Sequence, residues 1–187
     1  LLTTIEQRDG EYAKKRLLAW QHLIDSYQSL AESGQLSNVN LFFNQIRFLS
    51  DIVHWGQKDY WATPIEMLAT DGGDCEDYAI GKYFTLKALG LDITKLRITY
   101  VKAVELGQAH MVITYYKTPD SEPLILDNLT GEMLPASKRP DLKPVYSFNA
   151  DGLWLAQRRG QGERVSGAER ISLWRNLLTR MKQEKDS

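Results

Sequence analysis

The sequence predicts an α+β fold: helices first, then one helix leading into an antiparallel sheet, then a closing helix. Two observations predict it. Apolar residues recur at three- and four-residue steps near both ends and once mid-chain, as helices buried on one side require. Between the middle and last of these lie runs rich in β-branched and aromatic residues, separated by turn residues. Strands gathered in one run, instead of alternating with helices, fit an antiparallel sheet.

Taken in order, Leu17, Trp20, Ile24, Tyr27 and Leu30 share a helical face, with Gly34 where a C-terminal stop falls. A second helix begins at Ser37 and carries Leu41, Phe42, Ile46 and Leu49 inward. An aromatic-rich connection over 55–61 ends at Thr63-Pro64. Residues 66–69 form a short helical turn before the loop Thr70-Asp71-Gly72-Gly73. A third helix opens at Asp74, aligns Ala79, Tyr83, Leu86 and Leu89, and closes at Gly90.

Strands are expected at 96–104, 110–116 and 124–126, the last two joined as an antiparallel pair by Thr118-Pro119-Asp120-Ser121. Pro135, Pro140 and Pro144 punctuate a surface stretch before a strand at 145–148. Ser166 and Glu169 have capping-box spacing ahead of a last helix with Ile171, Trp174, Leu178 and Met181 on its apolar stripe. The whole reads as one domain, 1–187, with a helical N-terminal part (1–50), a core (about 51–155) and a C-terminal helix (about 166–184).

Composition narrows the function. A net charge of −1 argues against a nucleic-acid binder, which shows a basic excess or stripe. Lys14-Lys15-Arg16 and Arg158-Arg159 are short and offset by neighbouring carboxylates. One cysteine rules out an internal disulfide, and no apolar run approaches the roughly 20 residues that span a bilayer. A chain opening on Leu1 leaves room for a preceding segment, including a signal peptide.

The chemistry concentrates at Gly72-Gly73-Asp74-Cys75-Glu76-Asp77-Tyr78. The one cysteine falls in the first turn of a helix, where unpaired N–H groups and the dipole favour thiolate and offer donors to an oxyanion. A lone cysteine is more often a small buried hydrophobe, but one flanked by Asp74 and Glu76 after a Gly-Gly pair is not typical of a core. A thiol nucleophile needs an imidazole, and His110, opening a strand, is the candidate; His22 and His54 have no reactive partner nearby in sequence. If strands 110–116 and 124–126 form a hairpin, Asp127 comes beside His110 and can orient it. Asp127 could equally be a turn residue, given Asn128 after it.

Asp71, Asp74, Glu76 and Asp77 crowd the cysteine, and negative charge raises a thiol pKa, against the helix dipole. A bound cation would resolve the conflict, and oxygen ligands point to Ca²⁺ rather than Zn²⁺. One cysteine and three scattered histidines make no zinc ligand pairs, and Gly72-Gly73 makes no phosphate loop.

Four segments together carry a resemblance: Asp59-Tyr60-Trp61-Ala62-Thr63-Pro64, the Gly-Asp-Cys-Glu-Asp-Tyr-Ala run from Gly73 to Ala79, Gln108-Ala109-His110-Met111-Val112, and Leu126-Asp127-Asn128-Leu129. The sequence is similar to the bacterial transglutaminase-like cysteine proteinases and, within them, resembles the LapG-type periplasmic proteases. The likeness continues through Pro144-Val145-Tyr146-Ser147-Phe148-Asn149.

The resemblance implies a papain/transglutaminase-like core with the nucleophile at a helix N-terminus packed on an antiparallel sheet and flanking terminal helices. It implies a Cys75-His110-Asp127 triad and Ca²⁺ held by Asp74, Glu76 and Asp77. It also implies periplasmic cleavage near the N-terminus of a large adhesin, promoting biofilm dispersal. The implied controlling partner is the periplasmic domain of an inner-membrane receptor for cyclic di-GMP. Trp55 and Trp61 either line a binding surface or belong to the core. Two other functions share these residues: acyl transfer to an amine, and a transglutaminase-like binding module without activity.

Overall fold

The computed structural model describes residues 1–150, 153–155, 164–166 and 172–186. Gly10, at φ +89°, divides the N-terminal helical stretch into α1 (Leu2–Asp9) and α2 (Glu11–Tyr27). α2 ends earlier than the sequence predicts. Gly34 does not stop a helix but lies inside α3 (Glu32–Phe43). α3 also ends early, leaving Ile46 and Leu49 beyond it, because its C-cap Asn44 bonds elsewhere: Asn44 Nδ2 donates to the Asp127 carbonyl at 2.9 Å. A short polar side chain with an outside partner ends a helix readily.

The chain then makes β1 (Arg47–Phe48) and α4 (Asp51–His54), crosses the aromatic connection, and forms α5 (Pro64–Thr70). α5 extends the predicted turn at both ends, since Thr63 and Glu66 close a capping box and Pro64 suits the first helical position. Gly72 and Gly73 form β2 (Gly72–Gly73), a buried strand paired in parallel with β1, where the sequence predicts a loop. Neither has positive φ; both are glycine for lack of room. A Cβ on Gly72 would stand 2.6 Å from Leu49 Cδ1, and one on Gly73 2.7 Å from Asp77 Oδ2.

α6 (Cys75–Ala88) follows as predicted, with Gly90 at φ +86° just past its end. Gly81 faces Phe43 of α3, where a methyl group would collide with the ring. The sheet comprises β3 (Leu96–Ala103), β4 (Gln108–Tyr115), β5 (Leu124–Leu126), β6 (Leu134–Pro135), β7 (Leu142–Phe148), β8 (Leu153–Leu155) and β9 (Arg164–Ser166). Its order is β6-β5-β4-β3-β7-β8-β9 and every pairing is antiparallel. α6 packs on β4 and β3, so the start of the helix meets one end of the central strands.

Two later predictions are corrected. Pro144 lies within β7, not before it, and sits where the β3–β7 register slips: Tyr100 faces Tyr146 while Val101 faces Pro144. A bulge is where a strand tolerates a residue without an N–H. Ser166 ends β9, so it does not cap α7 (Ser172–Lys185); Glu169 and Ile171 lie outside the described residues. α7 buries Trp174 and packs Met181 on the core as predicted, but Leu177 takes the place of Leu178, which is 39% exposed.

Trp174 anchors α7 by stacking on Phe84 at 5.4 Å and meeting Phe148 edge-on at 5.2 Å. Trp174→Ala is expected to cost about 3–5 kcal/mol, read as a lowered denaturation midpoint; an unchanged midpoint would show that α7 docks independently of this ring. Trp61, stacked on Phe148 at 5.8 Å and 5% exposed, is a core aromatic; Trp55 is half-buried against Tyr60.

Candidate active site

Cys75 is the first residue of α6, with Asp74 as N-cap. The half-buried thiol donates to Glu76 Oε2 at 2.8 Å and lies near the Met111 backbone N–H. Sγ therefore lies against β4 at the residue after His110. Burial comes first, then the Glu76 charge and hydrogen bond, then Asp74, in pushing the thiol well above its usual pKa; the Met111 N–H works the other way.

The hairpin brings the other two candidates together. Pairing of Ile113 with Leu126 places the residue after β5 beside the opening of β4. His110 Nε2 lies 2.7 Å from Asp127 Oδ1, with His110 4% and Asp127 1% exposed. Asp127 Oδ1 also accepts the Leu129 N–H at 3.2 Å, so the turn role and the contact to His110 coexist. Burial opposes ionisation of Asp127, but the bonds from His110 and Arg139 and the charge of His110 outweigh it and hold its pKa at about 2. An ionised carboxylate only accepts, so His110 carries its proton on Nε2, leaving Nδ1 to exchange a proton with a thiol.

The acidic residues divide. Asp71 turns away, in the left-handed conformation at φ 52°, and pairs with Arg47 at 3.2 Å. Asp74 and Glu76 bracket the thiol, one ligand atom of each of the three residues lying within 4.8 Å of the others. Asp77 is buried behind them and accepts from the Ala62 N–H at 2.7 Å and the Asp74 N–H at 3.2 Å. A residue the sequence analysis did not single out joins them: Asp51, Asp74 and Asp77 form a second such cluster within 4.8 Å. Asp51 Oδ2 takes the Tyr60 N–H, while Asp51 Oδ1 and Asp74 Oδ1 are buried without a hydrogen-bond partner.

Burial, then hydrogen bonding and charge from Glu76, pushes Asp74 up to about 10; burial also raises Asp77 and Asp51. Carboxylates gathered this closely need protons or a cation between them. An all-oxygen set with unsatisfied lone pairs fits a hard divalent ion.

Two buried cations near Asp127 also escaped the sequence analysis. Arg139 donates from Nη2 to Asp127 Oδ2 at 2.8 Å. Lys82, 1% exposed, lies over the Tyr78 ring at 5.8 Å and feels the charge of Asp127, which partly offsets the fall in its pKa to about 7 caused by burial. Lys82 had a signal: it interrupts an apolar helical face seven residues after Cys75. Asp51 and Arg139 had none, because the site carboxylates they meet, Asp74 and Asp77 for the one and Asp127 for the other, are not their neighbours in sequence.

The site thus combines a thiol at a helix N-terminus with a buried histidine–aspartate pair on the antiparallel sheet beneath that helix. The family model described as bacterial transglutaminase-like cysteine proteinase matches residues 21–143, and the chain belongs to that family. No curated protein matches it. Solved structures of Legionella pneumophila LapG match closely. The EGTA-treated form is 47% identical with a TM-score of 0.84, covering 96% of this chain and 97% of that one. The calcium-bound form is 48% identical with a TM-score of 0.83 over 96% and 97%. Among the described residues no helix is long and apolar enough to cross a membrane.

Proposed function

We propose that this chain is a calcium-dependent cysteine endopeptidase in which Cys75 is the nucleophile, His110 the acid–base and Asp127 the residue that orients it. The observation that carries the reading is the buried His110–Asp127 bond of 2.7 Å on the strand that touches the Cys75 thiol. His110 Nδ1 takes the thiol proton as Sγ attacks the peptide carbonyl, and imidazolium returns it to the leaving amine. A water deprotonated by His110 then hydrolyses the thioester, restoring the thiol. Asp127 steadies the imidazolium throughout.

Asp51, Asp74 and Asp77, with Glu76 beside them, are the residues that would hold Ca²⁺. The orphaned oxygens on Asp51 and Asp74 support this, as does the calcium-bound form of a relative. The bound ion supplies positive charge that offsets the carboxylates around the thiol. We assign the family's substrate and setting to this protein: periplasmic cleavage near the N-terminus of a large adhesin, promoting biofilm dispersal, restrained by the periplasmic domain of a cyclic di-GMP receptor.

The test incubates the protein with an adhesin N-terminal fragment under chelator, and under chelator followed by restored calcium. Cleavage into two fragments is expected to vanish and return, and calcium is expected to raise the melting temperature. Cleavage indifferent to chelator would remove the calcium requirement. Amine-labelled instead of shortened products would replace hydrolysis with acyl transfer.

A further inference from the structure

We propose that Arg139 is a positioning residue: its guanidinium fixes the rotation of the Asp127 carboxylate and thereby holds the His110 proton on Nε2. This rests on the reading of Cys75, His110 and Asp127 as the reacting and orienting groups.

The geometry is a relay of fixed groups. Asp127 divides its oxygens, Oδ1 to His110 and Leu129, and Oδ2 to Arg139 Nη2 at 2.8 Å. Arg139 is itself clamped by Asp141: Nε donates to Oδ1 at 3.0 Å and Nη2 to Oδ2 at 2.8 Å, a fork on a fork. The backbone holds both residues, with Leu142 N–H donating to the Arg139 carbonyl at 3.1 Å and Val104 N–H to the Asp141 carbonyl at 2.8 Å. The support therefore runs from the end of the sheet, through Asp141 and Arg139, into the site. The side chain of Arg139 is 7% exposed and that of Asp127 0%, so water does not substitute for either.

Without Arg139, Asp127 is a buried carboxylate whose one remaining side-chain hydrogen bond is to His110. It relieves that cost by rotating or by taking a proton. A protonated Asp127 donates, so His110 Nε2 must accept and the ring proton moves to Nδ1. In that tautomer His110 cannot take the thiol proton. Lysine at 139 would supply a point charge to Oδ2 without the fork that Asp141 grips.

The test uses the full chain with calcium present, as Arg139→Gln and Arg139→Lys. Long-range ¹H–¹⁵N spectra read the His110 tautomer, and kcat and KM are measured on the adhesin fragment. Arg139→Gln is expected to populate the Nδ1–H tautomer and lower kcat about tenfold or more, with KM little changed; Arg139→Lys recovers the Nε2–H form and part of kcat. An unchanged tautomer in Arg139→Gln overturns the proposal, whether or not kcat falls. Should Arg139→Gln not fold, Asp141→Asn loosens the fork while keeping Arg139, and the same spectrum decides. If the native protein cleaves nothing, the hydrolytic reading fails, while the tautomer measurement still decides Arg139.

Discussion

Cys75→Ala yields a folded protein that cleaves nothing, with turnover down by about a millionfold, the loss seen when a covalent nucleophile is removed. Sγ is the atom that forms the acyl bond, and no second thiol exists to replace it. The structural cost is small. Alanine is well accommodated in a first helical turn, and Asp74, the Met111 strand and the core beneath keep their places. Melting curves for both proteins, beside fragment analysis of the adhesin digest, separate loss of chemistry from loss of fold. Retained cleavage by a clean preparation of the variant would end the assignment of Cys75.

Asp127→Asn is expected to lower kcat by about 10²–10⁴ with little change in KM. Arg139 selects the amide oxygen for its own hydrogen bond, so the NH₂ group is presented to His110. Nε2 must then accept, and the proton moves to Nδ1, where it blocks transfer from Cys75. The substitution also removes a charge with a measurable stability signature. The Asp127 pKa falls from 3.8 to about 2 on folding, so its stabilisation is fully present above the unfolded value and is lost as pH drops through the folded one. It amounts to about 2 kcal/mol. The stability gap between native protein and Asp127→Asn should close between about pH 4 and pH 2. Parallel stability curves across that range would show that Asp127 is not held ionised by its neighbours, and an unchanged kcat would remove it from the catalytic set.

The parts of this structure legible in the sequence are those written in local periodicity. The helix from Cys75 to Ala88, the hairpin of β4 and β5, and the meeting of His110 with Asp127 follow from apolar spacing and a four-residue turn. The β1–β2 ladder was not legible, because two residues carry no periodicity and Gly72-Gly73 reads as a loop until Leu49 and Asp77 are seen to fill the space. The helix end near Phe43 was missed because its terminating contact is tertiary: Asn44 reaches Asp127, a partner 83 residues away. The carboxylate cluster was half legible. Asp74, Glu76 and Asp77 are neighbours in sequence, whereas Asp51 arrives from the far side of the loop that the short parallel ladder closes.

The bulge at Pro144 bears on solubility. β8 pairs β7 only from Tyr146 to Phe148, so among the described residues the outer rim from Leu142 to Val145 offers its backbone to no neighbouring strand. An open rim of this kind is a template for a stray strand from another molecule. Here it holds a break in register and an exposed lysine at Lys143. Both deny an incoming chain a continuous ladder. Along this stretch the sheet that carries His110 and Asp127 thus has, among the described residues, features that discourage edge-to-edge pairing.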